Sequence, residues 1–258
     1  MEELQGGREG LIFLSDEKVY RPTSFWSESV HNLLLHLESK GFYNAPKFLG
    51  FADDGNEVLS FVLGDVYNYP LKGNIATDDA LISASKLLRQ YHDSTVSFIT
   101  SPLFEDSQWM LPSRAPYEVI CHGDFAPYNV ALDGVKTIGL FDFDTAHPAP
   151  RLWDIAYAIY CWAPFKTNQY DALGDLRAQS IRARLFCDGY GLPNKDRGKL
   201  VETMINRIQT LVDFMQSEAS KGNVAFIENI DNGHHLAYLT DIEYLKTNSQ
   251  FITNSLYK

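Results

Sequence analysis

Near residue 65 the hydrophobic pattern changes its period, and this change constrains the fold more than any other feature of the chain. Upstream, short β-favouring runs at 11–14, 18–21, 46–51 and 57–63 alternate with turn signals at Gly6-Gly7, Asp16-Glu17 and Asp53-Asp54-Gly55, a pattern that predicts a small sheet. One helix is set among them: Ser24 is its expected cap, Val30, Leu33, Leu34 and Leu37 form its apolar stripe, and Gly41 ends it. Downstream the helical period takes over, at 77–92, at 154–161 and in three long stretches from about 168 to the end. No repeat, low-complexity tract or linker intervenes, so the division rests on element type alone: a reduced α+β lobe over 1–65 and a mainly helical lobe over 66–258. The exception is a β-rich island at 118–144, where Asp133-Gly134 lies between apolar runs and signals a hairpin.

Composition narrows the function classes. A chain of 258 residues, 45% of them apolar, can bury a substantial core. Its 22 basic residues face 33 acidic ones, a net charge of −11 that argues against nucleic acid or an anionic membrane as partner and leaves cationic small molecules admissible. Cys121, Cys161 and Cys187 are odd in number and lack ligand spacing, which predicts reduced, buried thiols. Without a basic and apolar leader or a membrane-length apolar run, the chain is expected in the cytoplasm.

The β-rich island holds the one dense cluster of chemically capable side chains: His122, Gly123, Asp124, Asn129 and Asp142. If Asp133 and Gly134 form a two-residue turn, Leu132 faces Val135 and the register places Asp142 opposite Phe125, beside Asp124. Pro127 breaks the strand between Asp124 and Asn129, so the loop should display both on one side. Two carboxylates and an amide oxygen are hard ligands suited to Mg²⁺, which keeps its remaining positions for water and phosphate oxygens. This set implies a nucleotide and phosphoryl transfer, in which a carboxylate accepts the proton of the attacking hydroxyl.

The segments HGDFAPYNV at 122–130 and IGLFDFDTAHPAPRLWDIA at 138–156 resemble the catalytic core of the aminoglycoside phosphotransferase and choline kinase family, small-molecule kinases related in fold to protein kinases. The resemblance implies a two-lobed kinase-like fold with ATP and Mg²⁺ bound between the lobes, and direct transfer of phosphate to a hydroxyl of a small molecule. By its motif Asp124 is the catalytic base, while Asn129 and Asp142 hold Mg²⁺; Asp144 is the second acidic position, and Asp154 braces the loop or caps its helix. His122, by its own chemistry, is expected to orient the catalytic loop through hydrogen bonds rather than to transfer protons. The amino-terminal part departs from the family pattern, offering LQGGREG at 4–10 for the glycine-rich hairpin and Arg21 where a strand lysine is expected. The resemblance then implies phosphate contacts from Arg21, Gly6 and Gly7, Glu28 as the helix partner of Arg21, and a hinge at 61–64 whose backbone, through Phe61, Val62 and Leu63, meets the adenine.

The stretch at 19–65 also resembles a short-lobed branch of that family known by a trifolitoxin immunity function. A nucleotide-binding immunity or regulatory protein without turnover is therefore the competing expectation. The acceptor, favoured as amine-bearing by the acidic balance, is expected among the helices after residue 160, whose acidic members include Asp171, Asp175, Asp188 and Glu218.

Overall fold

A computed structural model describes residues 2–4 and 10–257, so the expectations for Gly6 and Gly7 lie outside the described residues. The chain divides into two compact units: residues 1–66, 87–125 and 129–151 form one, and residues 67–86, 126–128 and 152–258 the other.

The first unit contains a five-stranded antiparallel sheet, β1 (Glu2–Glu3), β2 (Phe13–Ser15), β3 (Lys18–Arg21), β4 (Phe48–Phe51) and β5 (Glu57–Ser60), in the order β1-β2-β3-β5-β4. The β2–β3 turn falls at Asp16-Glu17, where φ is +51° and +57°, the two positive values that a tight hairpin of matching twist requires. Helix α1 (Ser27–Ser39) buries Val30, Leu33, Leu34 and Leu37, as its spacing predicts. Its start differs from expectation. Ser24 makes no side-chain cap; its own N–H donates to the Ser27 hydroxyl at 2.9 Å, and the helix begins three residues later. Its end is as expected: Gly41, at φ +77°, lets its N–H and that of Phe42 donate to the carbonyls of Glu38 and Leu37, closing the last turn.

The same unit holds the carboxy-terminal part of α2 (Asp78–Ile99), the short α3 (Pro102–Glu105) and two ribbons that make up the β-rich island. These are β6 (Val119–Cys121) with β9 (His147–Ala149), and β7 (Val130–Asp133) with β8 (Lys136–Leu140). The hairpin exists, but its turn is Gly134-Val135, with Asp133 paired to Lys136. Gly134 takes φ +60° at the first turn position, the place where a two-residue hairpin of this kind needs glycine. A bulge between Ala131 and Leu132 then moves the register again, so Val130 faces Leu140 and the Phe141 N–H donates to the Asn129 carbonyl at 3.0 Å. Asp142 consequently follows the residue bonded to Asn129 and does not lie opposite Phe125. The hinge segment packs on this ribbon: Asp65 exchanges two backbone bonds with Leu132, and a Cβ on Gly139 would lie 2.3 Å from Val62 Cγ1.

The second unit comprises the start of α2, then α4 (Arg151–Trp162), α5 (Leu176–Tyr190), α6 (Asn194–Arg197), α7 (Leu200–Ser220), α8 (Val224–Asp231) and α9 (His234–Ser255). Helix α4 is buried on every face from Trp153 to Trp162, as befits a helix that is apolar nearly all round. Arg182 is buried on α5 and donates to the carbonyls of Trp162 and Ala76, fixing the end of α4 to the segment preceding α2. None of the three cysteines forms a disulfide and all are buried; burial pushes the Cys187 thiol up to about 12, so it stays protonated and inert. Among the described residues no helix is long and apolar enough to cross a membrane.

Candidate active site

The loop between β6 and β7 carries the catalytic-type residues, and its shape depends on glycine at one position. Gly123 has φ +84°, and a Cβ there would come within 2.2 Å of the Thr145 carbonyl oxygen. From the other side, the Thr145 hydroxyl donates to the His122 carbonyl at 3.0 Å, so the loop and the 142–146 segment are held together at backbone level. Gly123→Ala is therefore expected to destabilise the protein by about 2–3 kcal/mol, since it joins a clash with a strained backbone. Urea unfolding of the variant measures this; a midpoint equal to wild type would show that the loop yields.

His122 is fully buried, with its ring 4.8 Å from that of Phe143 and tilted against it. Its Nε2 lies 3.0 Å from the Phe141 carbonyl oxygen, which only accepts, so Nε2 carries the proton. The imidazole thus ties the loop of Asp124 to the residue preceding Asp142. Asn129, 6% exposed, donates from Nδ2 to the Asp124 main-chain oxygen at 2.9 Å and to Asp124 Oδ2 at 2.8 Å. Its amide oxygen is then the atom left for other work. Asp142 takes φ +65°, uncommon for a residue with a side chain, in a conformation that costs of order 1–3 kcal/mol where it is held. Its side chain is 52% exposed. The Asn129 amide oxygen and the half-exposed Asp142 carboxylate are hard donors of the kind that Mg²⁺ takes.

Arg21, 7% exposed, extends from β3 to this acidic group. Its Nε donates to Glu57 Oε1 at 2.6 Å, while Nη2 lies 3.0 Å from Asp144 Oδ1 and Nη1 4.0 Å from Asp142 Oδ1. Burial alone would lower the guanidinium's pKa, but the carboxylates of Asp144, Glu57 and Asp142 outweigh it and hold the pKa above its ordinary value. The carboxylate paired with Arg21 is on β5, at Glu57, directly across the ladder; Glu28 is exposed and does not take that place. Glu57, 1% exposed, also binds His31 Nε2 of α1 through its other oxygen. The His31 ring stacks on Phe48 at 3.8 Å. At the hinge, the Phe61 N–H donates to the Glu17 carbonyl, and Leu63 is 58% exposed.

Neither His31 nor Glu57 stood out in the sequence as functional. The available signal was a charged residue opening a strand run, and it becomes informative only when β3 and β5 are known to be neighbours.

A model of the phosphotransferase enzyme family matches residues 70–187, which include the whole loop and ribbon just described. The trifolitoxin immunity protein of Rhizobium leguminosarum bv. trifolii is 33% identical, with 78% of each chain covered. Among solved structures, a choline/ethanolamine kinase family protein from Mesorhizobium loti superposes with a TM-score of 0.63 at 15% identity, covering 99% of this chain and 91% of that one. The GDP complex of wild-type aminoglycoside 2'-phosphotransferase-IIIa superposes at 0.55 with 14% identity, covering 96% and 92%. These two likenesses establish the α+β, protein-kinase-like fold. The HGD-containing motif lies within the matched segment and the similarity to the immunity protein extends over most of the sequence, so this chain belongs to the phosphotransferase enzyme family.

Proposed function

We propose that the protein transfers the γ-phosphate of ATP to a hydroxyl group of a small molecule, acting in the cytoplasm with Mg²⁺ and with neither nucleic acid nor membrane as partner. The observation that supports this reading is the bond from Asn129 Nδ2 to Asp124 Oδ2, which fixes the Asp124 carboxylate against the Asn129 amide. Asp124 accepts the proton of an attacking hydroxyl, and its orientation is set by the Asn129 amide. The Asn129 amide oxygen and the Asp142 carboxylate would hold a metal that neutralises phosphate charge when bound. His122 maintains the loop through the Phe141 carbonyl and moves no proton. Arg21 contributes fixed positive charge beside Asp142 in the place of a strand lysine, and Val62 and Leu63 receive the base. Residues 1–65 act in this reading as the nucleotide-binding lobe, and residues 66–258 carry the catalytic loop and the acceptor site. The net charge of −11 favours an acceptor with an amine somewhere in its structure.

A second reading is supported by the immunity protein at 33% identity: the same site binds nucleotide and signals or sequesters without turnover. Both readings require nucleotide binding, which a thermal melt tests. Mg-ATP at roughly a hundredfold excess over its Kd should stabilise the fold by about 2.7 kcal/mol, and Asp142→Ala should remove most of the metal-dependent part. Mg-GTP run in parallel reports the base preference. Unchanged melting of the wild type in millimolar Mg-ATP and Mg-GTP would overturn both readings.

A further inference from the structure

Within the second unit a cavity of about 400 Å³ opens among α4, α7, α8 and α9. One carboxylate on its wall, Asp241 of α9, is 4% exposed and already engaged. Its Oδ2 accepts from the Tyr160 hydroxyl at 2.6 Å, and its Oδ1 accepts from both the N–H and the hydroxyl of Thr167 at 2.7 Å. These bonds pin the loop that follows α4, and Phe165 is fully buried in the same loop. Between these two anchors stands Lys166.

The Lys166 ammonium lies 3.7 Å from the centre of the Tyr160 ring, 5.2 Å from that of Tyr238 and 6.0 Å from that of Tyr69. Three aromatic faces around one cation are the arrangement by which proteins hold alkylammonium groups. Here the cation belongs to the chain itself. A lysine beside a cavity ordinarily extends its head to water; this one, pinned on both sides, keeps its head among the rings. Because the ammonium is tethered a few bonds from a fixed backbone, it faces the cage at a high effective concentration, and a free cation must compete with it.

We propose that Lys166 is the resident occupant of this cage and thereby the specificity-determining residue of the cavity. The cavity admits a hydroxylated compound that places no ammonium at the Tyr160 end, and it refuses one that would. Calling that compound the phosphate acceptor rests on the kinase reading above; the filled cage does not. An amine elsewhere on the acceptor is compatible with both.

The test is binding of tetramethylammonium, without nucleotide, to wild type, Lys166→Arg, Lys166→Ala and Lys166→Ala/Tyr238→Ala, followed by calorimetry or by ligand-observed NMR. Wild type and Lys166→Arg should bind weakly or not at all. Lys166→Ala should bind at least about tenfold more tightly than wild type, since the tethered competitor is gone. Removing the half-exposed Tyr238 as well should abolish the gain. Equal affinity of wild type and Lys166→Ala, or a gain that survives loss of Tyr238, overturns the proposal. A measurement on the unaltered protein stands beside these variants: the ε-methylene protons of Lys166 should be shifted upfield by the Tyr160 ring, and ordinary lysine shifts would also overturn it. Since no arm uses ATP, a protein that transfers no phosphate can still sustain the filled cage, and an active kinase can still refute it.

Discussion

Asp124→Asn should bind Mg-ATP as wild type does and lose roughly 10²- to 10⁴-fold in phosphate transfer, the usual contribution of a positioned general base. The substitution keeps the size of the side chain, and its oxygen can still accept the Asn129 Nδ2–H bond found at 2.8 Å, so the loop has little reason to move. What disappears is the affinity for a proton at the moment the acceptor hydroxyl attacks. Binding and turnover should therefore separate: an unchanged nucleotide-dependent melting shift, with kcat depressed and KM for ATP nearly constant. A parallel fall in affinity and rate would mean that Asp124 serves the metal or the loop and is not the base. If the wild type itself binds nucleotide, transfers nothing to a wide panel of hydroxylated compounds, and retains its cellular effect with Asp124→Asn, the immunity or regulatory reading stands in place of the enzyme.

The approach of Asn129 to Asp124 was legible in the sequence for a physical reason. Asp124 and Asn129 are joined by bonds five residues long, and a motif records such short-range geometry directly, whereas the ties of His122 to Phe141 and of Gly123 to Thr145 reach across about twenty residues. The hairpin was legible as an element but not in register. The pair Asp133-Gly134 announces a turn, yet glycine was needed at the first turn position, and the bulge at Ala131/Leu132 leaves no mark in an apolar run. Both shifts act on Asp142, which reaches the site through Phe141 bonded to Asn129. The partner of Arg21 was out of reach for a different cause. β3 and β5 are separated in the chain by α1 and β4, so the pairing of Arg21 with Glu57, 36 residues away, cannot be counted from any turn. A helix glutamate is the family's usual solution, and Glu28 occupied a suitable place in the sequence; in the fold it is exposed, and the helix contributes His31 instead. The cage around Lys166 was illegible for the same reason, since its rings come from segments near residues 69, 160 and 238.

Glu57→Leu should be the most damaging substitution outside the catalytic loop, costing about 3–5 kcal/mol, because it takes the nearest carboxylate from the buried Arg21 and the acceptor from His31. Arg21 would remain 7% exposed with Asp144 at 3.0 Å as its remaining close carboxylate, and the His31 ring would lose its acceptor. The loss is not evidence that the pair stabilises the fold in absolute terms. Taking two charges out of water is itself costly, and apolar residues of similar volume often do as well. The double variant Arg21→Met/Glu57→Leu should accordingly recover most of the lost stability, with a urea midpoint near wild type. It should not recover nucleotide-dependent stabilisation, because the positive charge beside Asp142 and Asp144 is gone. That combination, restored folding with lost Mg-ATP response, would assign the network to the site and not to the sheet. Restoration of both would make Arg21 a structural residue, and a Glu57→Leu cost under about 1 kcal/mol would place the pair in the range of solvent-screened surface bridges despite its burial.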